Sequence, residues 1–158
     1  MLETLEIVIS ALGSAFFVVA VKEYIVVVSA VIFNTEKKIL IAKRSEDEDV
    51  LPGYFGIPGG KVEEDSNTSD VLIHAVKREI MEEVGIEVEV LSLLNSHIGK
   101  DEKKLFVFFL CEHLSGEPQA LEDTDSVHWM GLEEIEKLEK QTPFLSQVCA
   151  KACQKIRE

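Results

Sequence analysis

The sequence is poor in the residues that mark several large classes of protein. Its three cysteines, Cys111, Cys149 and Cys153, lack the even count and spacing of the disulfide framework of a small secreted protein. No C-x-x-C or cysteine–histidine pairing accompanies them, so buried hydrophobic packing is a better interpretation than a zinc site. Basic residues are scarce, with 16 lysines and arginines against 29 acidic residues. The net charge of −13 repels polyanions and argues against nucleic acid as a partner.

Long hydrophobic runs are also scarce, and the longest lies at the N-terminus, where the 15 residues of Ile7–Val21 carry no charge. A membrane-spanning helix needs about 20 apolar residues, and Glu3 and Glu6 stand where a signal peptide would be basic. Three interpretations stay open: a core or interface element, a membrane anchor, and a poorly ordered or misassigned start. We favour the first, as a contact in a homodimer. Without a targeting signal, a cytoplasmic protein is expected.

Residues 23–158 are long enough for a single domain behind the apolar extension of residues 1–22. Runs rich in β-branched and aromatic residues predict strands at Tyr24–Phe33, Lys38–Lys43, Ile86–Ile98, Lys104–Cys111 and Ser126–Met130. The first two of these strands form a predicted hairpin. Helices are predicted at Asp70–Val84, at Gly131–Lys140 and from Pro143 onward. This order favours the α+β class, as an α/β/α sandwich with a mixed sheet.

The helix predicted at Asp70–Val84 carries the most informative residues. Ser69 is its expected N-cap and Gly85 its C-cap. Its buried stripe is predicted to comprise Leu72, Ala75, Val76, Ile80 and Val84.

Three acidic residues, Glu79, Glu82 and Glu83, follow at helical neighbour spacing and project from one patch. Alone, they would be an ordinary solvated helix face. About 20 residues upstream, Gly59 and Gly60 let the backbone approach a ligand closely. Because Mg²⁺ and Mn²⁺ prefer oxygen ligands, carboxylates opposite a glycine turn can hold such an ion against a diphosphate.

This arrangement resembles the signature of the Nudix hydrolases, G-x5-E-x7-R-E-U-x-E-E-x-G-U, in which U is a bulky aliphatic residue. Residues 78–86 (REIMEEVGI) match its second half at every fixed position, and Gly60 matches its opening glycine. The resemblance runs from about Tyr24 to the last helix. Two departures stand out: four extra residues follow Gly60, and Asp70 replaces the first glutamate.

The resemblance implies a role for each matched residue. Glu79, Glu82 and Glu83 would be ligands of Mg²⁺ or Mn²⁺, with the Gly60 carbonyl as a further one. Either Glu82 or Glu83 would instead orient or deprotonate the attacking water. Arg78 would restrain the carboxylates as a structural cation, with a direct phosphate contact as the alternative.

Outside the signature, each candidate has an ordinary structural alternative. Arg44 could contact phosphate or be a surface arginine. Tyr54 and Phe55 could stack on a base or fill core beside the glycine turn. Glu122 or Asp123 lies in a loop where some family members place an extra metal ligand or base, although a solvated acidic loop is equally compatible with the sequence.

The resemblance implies a MutT-like pyrophosphohydrolase that cleaves a nucleoside diphosphate linked to another moiety. The small size favours a nucleoside triphosphate, including an oxidised one, cleaved to a monophosphate and pyrophosphate. ADP-ribose or a sugar nucleotide is the alternative, although Asp101 stands where some ADP-ribose hydrolases have a proline. A rival from another class is a nucleotide-sensing module that does not cleave. Such modules typically lose carboxylates of the signature.

Overall fold

The computed structural model describes residues 7–12, 15–20, 23–63, 69–100 and 103–158, and for the first two ranges it describes the backbone alone. Strands β1 (Ile7–Leu12) and β2 (Ala15–Ala20) form a separate antiparallel pair. The predicted dimer contact falls on residues 1–22, and the four-residue insertion falls on the loop after Gly60. Both lie outside the residues whose side chains the structure describes. In the described part of the chain, no helix is long and apolar enough to cross a membrane.

A seven-stranded mixed sheet forms the centre of the domain. Its strands are β3 (Ile25–Phe33), β4 (Ile39–Arg44), β5 (Phe55–Gly56), β6 (Gly59–Lys61), β7 (Glu87–Ile98), β8 (Lys104–Ser115) and β9 (Thr124–Met130). The main path runs β5-β4-β3-β8-β7, while β6 pairs with β3 and β9 pairs with β4. Only β3 and β8 are parallel among these described pairs, so the predicted mixed sheet and the predicted β3–β4 hairpin are confirmed.

Helices cover both faces of this sheet. Successive side chains of β3 point to opposite faces, so they pack into two separate cores. On one face, Val28 and Ala30 pack with helix α1 (Val71–Val84). On the other face, Val31 and Phe33 pack with helices α2 (Leu132–Glu136) and α3 (Leu145–Lys155). The observed layers confirm the predicted α/β/α sandwich.

The start of α1 departs from the prediction. The N-cap is Asp70, not Ser69, and its backbone is left-handed at φ 52°, a conformation that aspartate tolerates better than most residues. The Asp70 side chain makes no capping hydrogen bond in the described structure. Leu72 was wrongly predicted to be buried: it is 36% exposed in the first turn, and the core beneath the helix is filled from Ala75 onward.

The helix predicted at Gly131–Lys140 is also shorter than expected and ends at Glu136. The C-terminal end of this helix and the residues after it are held by Gln141, whose side-chain amide donates to the carbonyls of Ile135 and Leu138. This side chain satisfies carbonyls that a longer helix would have satisfied with its own backbone. The prediction of buried cysteines holds for Cys111 and Cys149.

Candidate active site

The three residues of β6 lie opposite three residues of α1. The Gly59 amide donates to Oε2 of Glu83 at 3.0 Å, and Nη2 of Arg78 donates to the Lys61 carbonyl at 3.1 Å. Between them, Gly60 lies against the Glu79 carboxylate. Because residue numbers rise along the helix as they fall along the strand, α1 runs antiparallel to β6, and its signature residues face the glycine turn.

Gly59 and Gly60 are required for different reasons. A Cβ at Gly59 would overlap the Val28 carbonyl and lie 2.6 Å from Cα of Ser29, so the neighbouring strand excludes any side chain. The three atoms nearest to a Cβ at Gly60 all belong to the carboxyl group of Glu79. Gly59 therefore permits strand pairing, while Gly60 leaves room for an acidic side chain of the site.

Arg78 organises the carboxylates next to it. Its Nη2 donates to Oε1 of Glu79 at 2.8 Å, and its Nε lies 3.7 Å from Oε1 of Glu82. The hydrogen bond to Glu79 raises the pKa of Arg78, as do the charges of Glu79, Glu63 and Glu82. Arg78 thus offsets repulsion between acidic groups that share one helical patch.

Glu83 occupies a different environment from its acidic neighbours. Burial raises the pKa of Glu83 to about 7; the hydrogen bond from Gly59 and the charge of Arg44 oppose the rise, and the charges of Glu79 and Glu122 add to it. The Glu79 side chain is 12% exposed and that of Glu82 is 44% exposed. The patch therefore combines one carboxyl that titrates near neutrality with two that differ in access to solvent.

Glu122 approaches this patch from the loop between β8 and β9. The loop is fixed to the end of α1, because Leu121 N donates to the Glu83 carbonyl and Gln119 N to the Val84 carbonyl, both at 3.0 Å. Partial desolvation raises the pKa of Glu122, and the charges of Glu82 and Glu79 raise it further. Of the two predicted candidates in this loop, Glu122 is therefore the one whose charge is felt at the carboxylate patch.

Asp123 has a different position. Its carbonyl accepts a hydrogen bond from Ser45 N at 2.8 Å, which joins the β8–β9 loop to the end of β4. Arg44, the last residue of β4, donates through Nη2 to Oε2 of Glu48 at 2.8 Å and through Nε to the Val50 carbonyl at 2.9 Å. Arg44 is therefore beside the carboxylate patch, and its guanidinium is hydrogen-bonded to the loop that follows β4.

The two aromatic residues upstream of the glycine turn both contact β4, Phe55 by strand pairing and Tyr54 through its backbone carbonyl. Phe55 pairs with Lys43, and its ring lies 6.4 Å from that of His128 and packs against the core on the α3 side. The Tyr54 carbonyl accepts the amide of Arg44 at 2.9 Å. The core interpretation of Phe55 thus agrees with its contacts.

An aromatic cluster on the α3 side was not predicted from the sequence. Val27 and Ser29 of β3 stay partly exposed on the face where α3 covers Val31 and Phe33. Phe106 and Phe108 of β8 pair with Val27 and Ser29, and their rings form a cluster with those of His97 of β7 and Phe144 at the start of α3. The rings of His97 and Phe144 stack 4.3 Å apart and 5° from parallel. No local pattern predicts this cluster, because the rings and the β3 residues beside them come from distant parts of the chain, from Val27 to Phe144.

The described carboxylates do not form a closed cage for a cation. Across residues 23–63, 69–100 and 103–158, no three acidic, histidine or cysteine side chains converge on one point. Mg²⁺ usually keeps several waters and binds through one or two carboxylates plus substrate phosphates, so it does not need a closed cage. A desolvated carboxyl beside two more acidic groups fits an ion of this kind, whose charge would relieve their repulsion.

A NUDIX domain model matches residues 23–151, and the chain belongs to the Nudix family. Members of this family generally use divalent cations such as Mg²⁺ or Mn²⁺. The chain is 31% identical over 111 residues to an ADP-ribose pyrophosphatase of Methanocaldococcus jannaschii, covering 68% of this chain and 62% of that one. It is 31% identical over 90 residues to an 8-oxo-dGTP diphosphatase of Buchnera aphidicola, covering 56% and 66%. The chain thus spans less than two thirds of either relative.

Solved structures give the same fold. The MutT protein from Methanosarcina mazei Go1 superposes with a TM-score of 0.70 at 23% identity, covering 87% of this chain and 98% of that one. A MutT NUDIX hydrolase from Burkholderia pseudomallei superposes with a TM-score of 0.67 at 28% identity, covering 82% and 98%.

Proposed function

We propose that this protein hydrolyses a diphosphate bond in a nucleoside diphosphate linked to another moiety, with Mg²⁺ or Mn²⁺ held by Glu79, Glu82 and Glu83. The observation that carries the proposal is the opposition of Glu79 and Glu83 to Gly60 and Gly59. Acidic groups and accessible backbone meet there at one place, which suits a metal-bound diphosphate. The match of the NUDIX model and the names of the relatives support this reaction class.

Each residue contributes a separate element of the mechanism. A divalent ion held by these carboxylates would neutralise diphosphate charge and would make a water more acidic and so a better nucleophile. Glu83 is the alternative base: with the ion held by Glu79 and Glu82, the Glu83 carboxyl, whose pKa is raised to about 7, is suited to hold a proton removed from the attacking water. Glu122 is a second candidate for this base, since its charge also reaches the patch. Arg78 restrains Glu79 and Glu82, and the Gly60 carbonyl is a further candidate ligand.

For the substrate, we propose a nucleoside triphosphate, including an oxidised one, whose base stacks on the aromatic cluster. Bases stack on aromatic side chains with about 1–3 kcal/mol per base. Ser29 pairs with Phe108 of the cluster on one side and with Gly59 on the other, so the cluster is next to the glycine turn. The diphosphatase relative supports this substrate, while the ADP-ribose pyrophosphatase relative keeps ADP-ribose as the alternative.

The test is hydrolysis of a panel of nucleoside triphosphates, oxidised purine nucleotides, ADP-ribose and sugar nucleotides with Mg²⁺ or Mn²⁺. Glu79→Gln, Glu82→Gln and Glu83→Gln should each reduce kcat, and Glu89→Gln, an exposed acidic change on β7, is the matched control. Turnover unchanged in all three variants would show that the site is elsewhere. Tight nucleotide binding without cleavage by the wild-type protein would favour a sensing module.

A further inference from the structure

Arg44 lies where three parts of the site meet. Its amide donates to the Tyr54 carbonyl in the segment leading to the glycine turn, and the next amide, that of Ser45, donates to the Asp123 carbonyl. These two hydrogen bonds place Arg44 between the segment that leads to the glycine turn and the loop that carries Glu122. A phosphate group bound between these segments would therefore lie close to this guanidinium.

The loop that follows β4 holds this guanidinium through two different nitrogens. Nη2 donates to Oε2 of Glu48 at 2.8 Å, and Nε donates to the Val50 carbonyl at 2.9 Å. Two hydrogen bonds from separate atoms of a planar group fix both its position and its plane. A guanidinium has five N–H donors, so three are left for an incoming anion.

A turn nucleated by Ser45 places Glu48 against Arg44. Oγ of Ser45 accepts the amide of Asp47 at 3.2 Å, and the Ser45 carbonyl accepts the amide of Glu48 at 3.3 Å. Serine side chains stabilise turns by hydrogen bonds of this kind. The Glu48 side chain is 24% exposed, whereas that of Glu46 is 59% exposed. The acidic loop is therefore not a uniformly solvated segment: Glu48 faces inward.

We propose that Glu48 is a positioning residue, which holds the Arg44 guanidinium in the orientation that receives a phosphate of the substrate. This inference rests on the proposed function, because it takes Arg44 as a phosphate-binding cation. Glu48 does not touch the substrate. It keeps a flexible arginine side chain in one conformation before the anion arrives, so that less conformational freedom is lost on binding.

The experiment combines Glu48→Ala, Glu48→Gln and Arg44→Gln with the matched control Glu46→Ala. Glu46 lies in the same loop and carries the same charge, but its carboxylate pairs with Lys43 instead of Arg44. Two readouts are used: KM and kcat with the best substrate of the panel, and the Kd of an α,β-methylene nucleoside triphosphate with Mg²⁺ by calorimetry. The double variant Arg44→Gln/Glu48→Ala completes a thermodynamic cycle.

We expect Glu48→Ala to raise KM and Kd on the order of tenfold with little change in kcat, the size of one charge-assisted hydrogen bond. Glu48→Gln retains an acceptor for Nη2 and should show a smaller increase. In the Arg44→Gln background, Glu48→Ala should have no further effect. Glu46→Ala should leave both constants unchanged.

Three results would overturn the inference. If Glu48→Ala and Glu46→Ala changed KM and Kd equally, the effect would come from the charge of the loop and not from Glu48 itself. If Glu48→Ala weakened binding just as much in the Arg44→Gln background, Glu48 would not act through Arg44. Tighter binding by Glu48→Ala would make Glu48 a competitor of the phosphate. Each of these leaves the proposed function standing, whereas a wild-type protein that neither binds nor cleaves any nucleotide would overturn both.

Discussion

The amide of Gly59 donates a 3.0 Å hydrogen bond to Oε2 of Glu83, a residue 24 positions further along the chain. This bond joins the glycine turn to the last turn of α1 and holds a carboxylate that is otherwise desolvated. Loss of geometry on either side of it should therefore be measurable, and the two glycines of the turn allow the effects on fold and on site to be separated.

Gly59→Ala and Gly60→Ala should have different effects, the first on the stability of the fold and the second on the site. A methyl group at Gly59 meets the backbone of β3, which cannot move aside, so we expect a loss of several kcal/mol of stability, as for other overpacked sites. At Gly60 the three atoms nearest to it belong to the Glu79 side chain, which can shift, so stability should change less while kcat and metal affinity fall. Thermal unfolding and Mn²⁺ titration of both variants check this. Equal melting temperatures for the two would contradict it.

Stability without metal should depend on the titration of Glu83. Its pKa is raised from 4.5 to about 7, so the folded state binds the proton more tightly than the unfolded state. The contribution of Glu83 to the free energy of unfolding therefore falls as pH rises from about 4.5 to about 7, by a total on the order of 3 kcal/mol. Glu83→Gln should remove this part of the pH dependence in denaturant titrations with EDTA. Parallel pH profiles for the two proteins would refute the assignment.

Arg78→Lys should weaken metal binding while the fold persists. A lysine keeps the charge but cannot reach Glu79, Glu82 and the Lys61 carbonyl with fixed planar geometry. Groups that orient metal ligands typically contribute 10–100-fold, so we expect a Kd for Mn²⁺ that is roughly 10-fold higher. Calorimetry would measure it, with Arg157→Lys near the C-terminus as the control. An unchanged Kd would leave the phosphate-contact alternative for Arg78.

Phe144→Ala should distinguish substrates that carry a base from those that do not. If a base stacks on the aromatic cluster, KM for a purine nucleotide should rise about tenfold, consistent with the loss of one stacking contact. Cleavage of a diphosphate substrate without a base should be unaffected. A similar loss for both substrates would mean that Phe144 acts through the fold, since its ring also packs near Phe106 and Phe108.

The sequence predicted those parts of the molecule that depend on local pattern. The β-branched and aromatic composition of β3 and the spacing of Glu79, Glu82 and Glu83 are local properties, so strands, helix and carboxylate patch followed from such features. The N-cap at Asp70 and the early end of α2 did not follow, because left-handed backbone and a side-chain cap from Gln141 override propensity.

The parts of the site that tertiary contacts create were beyond sequence patterns. The inward orientation of Glu48 depends on a turn at Ser45, and the raised pKa of Glu83 depends on its burial. The residues of the aromatic cluster become neighbours only when β7, β8 and α3 pack together. Environment, more than residue type, therefore separates these residues from the other acidic and aromatic residues of the chain.

The loop that carries Glu122 is joined to α1 by two backbone hydrogen bonds, from the amides of Gln119 and Leu121 to the carbonyls of Val84 and Glu83. Neither bond involves the side chain of Glu122, so a substitution at this position leaves both attachments to the helix of the proposed metal ligands in place. In the proposed mechanism, the helix would hold the diphosphate while the loop would supply a separate acidic group.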